Sequence, residues 1–148
     1  MKALLPIFLL AFTAASSPAS ASSHDELMQE IESKVTLPPR AQPLKAYGQN
    51  YAQSGPGKVL AIYVIPPQPY DKKISCVTGG KPCTESDVQR LIKDREAEIA
   101  SQARAGERRW FESVAQLPEI ADGGCSIITV RYDVQAKRVL SVGCNGLA

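Results

Sequence analysis

Hydrophobic and polar positions along the chain fall into four patterned stretches separated by proline- and glycine-rich breaks. In residues 24–34, Leu27, Met28 and Ile31 recur at helical spacing, and Asp25 and Glu26 sit in the first turn, where acids complement the helix dipole. Residues 36–43 hold Pro38, Pro39 and Pro43 and are predicted to be extended, because proline lacks a donor and biases its predecessor away from helix. Residues 58–65 (Lys-Val-Leu-Ala-Ile-Tyr-Val-Ile) are apolar, rich in β-branched side chains, too short for a good helix and stopped by Pro66-Pro67, so they read as a buried strand. Ser54-Gly55-Pro56-Gly57 is a turn; residues 47–53 are ambiguous and, if extended, complete a hairpin with that strand.

The second half repeats the order of helix and then strands. Residues 66–82 are loop, with four prolines and a glycine pair. Thr84-Glu85-Ser86-Asp87 approximates a capping box, and Val88, Leu91, Ile92, Ile99 and Ala103 form an apolar stripe beyond it. The opposite side pairs Asp87 with Arg90, Arg90 with Asp94, Lys93 with Glu96 and Arg95 with Glu98, a solvated face. Gly106 interrupts this helix, and residues 107–116 are expected to resume it, burying Trp110, Val114 and Phe111 before Leu117-Pro118. After Asp122-Gly123-Gly124, Ile128, Val130 and Tyr132 alternate with Ile127, Thr129 and Arg131, and Val139 to Val142 follow a short polar turn, which predicts a second hairpin. The expected fold is α+β: a small antiparallel sheet of about four strands in two hairpins, packed by one long helix, with an N-terminal helix besides.

The extreme N-terminus has a different logic. Met1-Lys2, an uncharged apolar run to Ala15 and small residues to Ala21 form the three parts of a secretory signal. The apolar run is shorter than the roughly 20 residues needed to span a bilayer. Ala19-Ser20-Ala21 meets the small-residue requirement of a signal peptidase, so cleavage is expected between Ala21 and Ser22. Residues 1–21 are then a leader and residues 22–148 a single domain, periplasmic or secreted, with no stable membrane insertion after cleavage.

Composition narrows the partners. Lys and Arg number 17 against 15 Asp and Glu, and one of the cations, Lys2, leaves with the leader. Such a balance weighs against nucleic acid, whose phosphates need a surplus of cations.

Four cysteines permit three pairings. Cys76 with Cys83 closes a segment containing Gly79-Gly80 and Pro82; Cys125 with Cys144 spans the open end of the second hairpin, where neighbouring strands lie about 5 Å apart. On chain-entropy grounds, loops of these lengths contribute roughly 2.5 and 3.3 kcal/mol. Structural zinc sites place their cysteines closer together, and redox enzymes use Cys-x-x-Cys; neither pattern occurs here, so the expectation is two disulfides, no metal and no cofactor.

The search for chemistry returns no catalytic set. His24, the only histidine, is expected in a mobile terminal turn, unsuited to a triad. Gly79-Gly80-Lys81 lacks the first glycine and the Ser or Thr of a phosphate loop. Glu119 and Asp122, on the loop before the second hairpin, are the carboxylates a small hydrolase would use, and one of them would have to be buried. Arg104, Arg108, Arg109 and Trp110 are candidates for a basic, aromatic patch, but with Glu107 and Glu112 nearby they read instead as the wet and dry sides of one helix. Tyr47, Tyr51 and Tyr70 are candidates for a binding surface, because tyrosine is favoured at interfaces, against the plainer alternative of packing the sheet edge.

The stretch Asp122-Gly123-Gly124-Cys125-Ser126 through Val130-Arg131-Tyr132-Asp133 to Arg138-Val139-Leu140-Ser141-Val142-Gly143-Cys144-Asn145-Gly146 resembles the tail of small exported proteins of Gram-negative bacteria, particularly alphaproteobacteria. The resemblance implies a periplasmic address, a signal peptide and a paired Cys125 and Cys144, and it carries no catalytic or ligand residue. The expected function is therefore a non-catalytic binding domain for an envelope or extracellular protein or a small ligand, with a small hydrolase as the alternative.

Overall fold

The structure is a computed structural model and describes residues 19–71, 76–78 and 81–146. Helix α1 (Ala19–Lys34) leads through the proline segment and a 3-10 turn (Leu44–Ala46) into strands β1 (Gly48–Gly55) and β2 (Lys58–Val64). A two-residue ladder, β3 (Val77–Thr78) and β4 (Lys81–Pro82), precedes helix α2 (Glu85–Ala100). Strand β5 (Arg108–Phe111), a 3-10 turn (Val114–Gln116), β6 (Gly124–Asp133) and β7 (Arg138–Asn145) complete the chain. The main sheet has the order β5-β1-β2-β6-β7. The ambiguous residues 47–53 are strand, and both expected hairpins form antiparallel pairs. An α+β fold with an antiparallel sheet and an N-terminal helix is what the hydrophobic pattern implies.

Besides the short β3–β4 ladder inside the expected loop 66–82 and the end of α2 at Ala100, well before Gly106, two larger features differ from that pattern. The first is that residues 107–116 are not helix: Arg108–Phe111 is a fifth strand, parallel to β1, with Trp110 opposite Tyr51. Val114 is 43% exposed rather than buried. Local chemistry explains the outcome. Gly106 takes φ 78, a left-handed turn that stops a helix from continuing. Ser113 then caps its own short turn by accepting from the Ala115 N–H, while Gln116 accepts from the Ser113 N–H.

The second difference is which helix covers the sheet. Met28 and Ile31 of α1 join Tyr47, Tyr51, Val59, Ala61, Tyr63, Ile128, Val130 and Tyr132 in the larger core. No residue of α2 is fully buried; Val88, Leu91, Ile92 and Ile99 are half-buried. The capping box at Thr84 and Asp87 holds the start of α2 as its sequence implies. Its other end docks through the chain that follows: the Ala103 N–H donates to Asn50 Oδ1 at 2.7 Å. The Ala103 carbonyl lies so close to Gly48 that a Cβ there would come within 1.9 Å of its oxygen, which restricts position 48 to glycine.

Alternation along the strands sends successive residues to opposite faces. Tyr51, Val59, Ala61, Tyr63, Ile128, Val130 and Tyr132 share the α1 face, whereas Ala52 packs with Phe111 and Leu117, and with Leu60 and Ile62, on the other. The disulfide Cys125–Cys144 closes an irregularity in which β6 pairs Gly124 with Asn145 and then Ile128 with Cys144. Inside that irregularity the Tyr47 hydroxyl donates to the Cys125 carbonyl at 2.6 Å, and Ile65 N–H donates to the Ser126 carbonyl, so its polar backbone is not left orphaned. Cys76 is bonded to Cys83 across β3 and β4. Gly79 and Gly80, which raised the phosphate-loop question, lie outside the described residues.

Candidate binding groove

A helix laid across a sheet leaves a furrow where its curved side leaves the last strand. Here that furrow follows α1, over the β1–β2 hairpin end on one side and along the end strand β5 on the other, and three hollows along it share walls. The first, of 190 Å³, has the apolar side chains Leu27, Val59 and Val134 with Gln53 and Lys58 at its edge. His24 and Trp110 line both the first hollow and the second, which also takes in Asp25, Met28, Arg109 and Glu112. Arg108 links the second to the third, where Gln29, Glu32, Lys45 and Gln49 stand. The hollows form one strip because Arg108 and Trp110 are two residues apart on β5 and project to the same face.

The side chains of the strip are positioned by contacts that run through the core. His24 stacks on Trp110 with ring centroids 4.1 Å apart and planes 12° from parallel. The only histidine is therefore half-buried against an aromatic wall, not in a mobile terminus as its place in the sequence implied. Glu32 accepts from the Tyr51 hydroxyl at 3.0 Å, and Tyr51 in turn meets Tyr63 hydroxyl to hydroxyl at 3.1 Å. Burial pushes both phenols up, and the neighbouring Glu32 charge adds to the effect, so they are neutral donors throughout the ordinary pH range. Arg108 Nε approaches Glu32 at 3.9 Å, a loose pair that leaves most of the guanidinium's donors uncommitted. Lys45 is exposed and, among the described residues, makes no ion pair.

A second polar anchor lies on the far side of α1. Tyr132 donates to Glu30 at 2.9 Å, and Lys34 reaches Glu30, the Tyr132 oxygen and the Lys137 carbonyl. The Lys34 ammonium and the Tyr132 hydroxyl hold the Glu30 carboxyl below its ordinary range. Glu30 and Glu32 thus tie α1 to β6 and β1 by carboxylate–phenol bonds, which fix the helix, and with it His24, relative to β5.

The expected site residues are distributed otherwise. Tyr47 and Tyr51 have no exposed surface, so they are not a binding face; each fills the core with its ring and satisfies its hydroxyl internally. Tyr70 is half-buried and sits with Pro67, Pro69 and Arg95 in a separate shallow hollow, so the three tyrosines do not form one surface. Glu119 and Asp122 are both exposed, and Asp122 takes φ 54 in the turn before β6. Arg109 does not lie on a helix: it spreads over the Phe111 ring at 4.7 Å and donates to the Ala100 carbonyl. Sequence reasoning missed Trp110 as part of a groove, because reading 107–116 as helix placed it in the core. Among the described residues no group of three His, Cys, Asp or Glu side chains is placed to hold a metal, and no helix is long and apolar enough to cross a membrane.

What the strip offers chemically is recognition: an apolar hollow, an aromatic wall, and cations with free donors. Its one buried-side carboxylate, Glu32, is committed to Tyr51. Comparison with family models, with curated proteins and with solved structures finds no match to the chain.

Proposed function

We propose that the protein is an exported, non-catalytic binding domain that engages an envelope or extracellular protein or a small ligand through the groove between α1 and β5. The observation that carries this reading is the composition of the groove itself. Its walls are shaped by fixed contacts, yet Arg108 and Lys45 keep uncommitted donors and Trp110 faces two hollows. Export rests on the N-terminal pattern and fits the two disulfides, which persist in oxidising compartments. The resemblance of residues 122–146 to small exported proteins of Gram-negative bacteria points the same way. Cleavage after Ala21 removes Ala19–Ala21 of α1 and retains His24 and the other groove residues in the mature chain. No observation favours the hydrolase alternative, since Glu119 and Asp122 are both exposed, whereas that reading required one of them to be buried.

Two measurements on the protein secreted by its own signal test the reading. Its intact mass should begin at Ser22 and take up alkylating reagent only after reduction; a mass that includes the leader, or alkylation without reduction, overturns export or the disulfides. Capture from a periplasmic fraction should then retain a partner on the wild-type protein and lose it on Trp110→Ala. Equal retention by both proteins would remove the groove from the account.

A further inference from the structure

The third hollow, about 520 Å³ in volume, carries charges of both signs: Arg108 and Lys45 on one side of the account, Glu32 on the other. Arg108 Nε stands 3.9 Å from Glu32, beyond hydrogen-bond reach, so neither ion satisfies the other. One Glu32 oxygen accepts from the Tyr51 hydroxyl, which leaves the second for another donor. Lys45 makes no ion pair among the described residues. Gln49 adds a neutral acceptor. It is 3% exposed, and its amide nitrogen donates to the Leu44 and Tyr47 carbonyls at 3.2 Å each. Only the nitrogen of an amide can meet two carbonyls, so the amide's orientation is fixed and its oxygen points the other way. That oxygen has no partner among the described residues. The one fully enclosed side-chain atom there without a partner is Gln102 Oε1, so the Gln49 oxygen is not enclosed and opens onto the hollow that Gln49 lines.

We infer that this hollow binds a free aliphatic α-amino acid, its carboxylate on Arg108 and Lys45 and its ammonium on Glu32 and the Gln49 oxygen. This deepens the binding-domain reading, in its small-ligand form, and rests on it. The lining selects against simpler ions. An anion without donors would set its oxygens against the Gln49 oxygen and the Glu32 carboxylate. A cation without acceptors would face Arg108 and Lys45, and like charges a few ångströms apart repel. A zwitterion answers both halves at once, and it replaces one loose ion pair by two sets of charge-assisted hydrogen bonds. Opposed charges 3.9 Å apart in the site call for opposed charges equally close in the ligand. The α-amino acids have them; ω-amino acids and the separated ends of a peptide do not. Leu44, the apolar member of the lining, gives an aliphatic side chain its contact. Both acceptors are fixed before the ligand arrives, Glu32 by Tyr51 and Gln49 by two backbone carbonyls, so little ordering remains to be done on binding.

The test is a calorimetric titration of the secreted, oxidised protein with L-leucine, which should bind saturably with a Kd of about 1 mM or tighter. Three analogues dissect the head group. Leucinamide lacks the negative charge, N-acetyl-leucine lacks the positive one, and the trimethylammonium derivative keeps both charges but has no N–H to donate. Each should bind about ten-fold more weakly or worse, because each leaves a charged group of the site without its hydrogen bonds. Arg108→Gln should weaken leucine by about ten-fold or more on the same ground. Lys45 is exposed and unpaired, so Lys45→Gln leaves the fold alone; a loss of about three-fold or more is expected there, and it keeps the test open if Arg108→Gln unfolds. No binding of leucine, equal binding of any of the three analogues, or leucine binding that ignores Lys45→Gln would overturn the inference. Partner capture separates this from the broader reading. A wild-type protein that ignores leucine but retains a periplasmic partner that Trp110→Ala loses would overturn the amino-acid site and leave the binding groove, whereas neither leucine binding nor capture would overturn both.

Discussion

At the scale of single residues, the fold depends on a few positions where no substitution fits. Gly48 is one: the Ala103 carbonyl occupies the space a Cβ would need, and that contact joins the end of α2 to the start of β1. Gly48→Ala is expected to lower stability by about 1–3 kcal/mol, the range for forcing atoms into a filled site. A urea melt that matches wild type would show that the Ala103 segment shifts at no cost. Tyr51 is another. Its ring is buried and its hydroxyl bridges Glu32 and Tyr63, so Tyr51→Phe keeps the packing but leaves Tyr63 and Glu32 each short of a partner. A loss of about 1–2 kcal/mol is expected, together with a changed Trp110 emission, because Glu32 helps set the angle of α1 against β5. Unaltered stability and emission would mean that the phenol chain is incidental.

At the scale of elements, the two helices invite a direct contrast. They have equal length and both show apolar stripes, but Ile31 of α1 is fully buried while Leu91 of α2 is half-buried. Ile31→Ala should cost about 3–4 kcal/mol, within the range for a core truncation, and Leu91→Ala about half that or less. Equal losses in urea denaturation would mean that α2 carries as much of the core as α1. The sequence reading gives the main packing role to the long helix α2, because periodicity states that a face is apolar and not what lies opposite it. The disulfides separate in the same manner. Cys125–Cys144 ties two long strands at the irregular end of β6, whereas Cys76–Cys83 closes a two-residue ladder with Val77 62% exposed. Replacing the first pair by alanine should cost about 3 kcal/mol and the second distinctly less, since the second staples a segment with little core of its own. Reversed losses in the two double variants would overturn that ranking.

At the scale of the whole molecule, stability should hold in a pH window with identifiable edges. On the acid side, Glu30, Asp87 and Asp133 all have carboxyls held below their ordinary range. The causes are the Lys34 hydrogen bond for Glu30, the Thr84 side chain for Asp87, and the Ala136 N–H followed by Lys58 for Asp133. A depressed carboxyl contributes stability that is whole above its unfolded pKa, about 4, and is lost as pH falls through the folded value. On the alkaline side, burial raises Tyr51 and Tyr63, and the Glu30 hydrogen bond raises Lys34. Their contribution is whole below the unfolded values, about 10, and declines as pH climbs from there toward the folded ones. Urea midpoints should therefore fall below about pH 4 and above about pH 10, and a flat profile across either edge would contradict these assignments.

What the sequence by itself determined is everything that local chemistry specifies. The capping box at Thr84, the turn at Gly55 to Gly57, the strand before Pro66, the alternating hairpin after Gly124 and two cysteine pairs close enough to meet all depend on neighbours within some twenty residues. The tertiary structure alone decided that residues 108–111 lie beside β1, that α1 rather than α2 roofs the core, and that His24 stacks on Trp110. Each of those depends on a contact between segments far apart in the chain. Arg-Arg-Trp-Phe carries no alternation of its own, and it becomes a strand because β1 had an unpaired edge to satisfy. Tyr47 and Tyr51 are amphipathic and read equally well as surface or core; which they are was settled by the helix that happens to cover them. The groove follows from the same cause, since it exists only where that helix and that added strand meet.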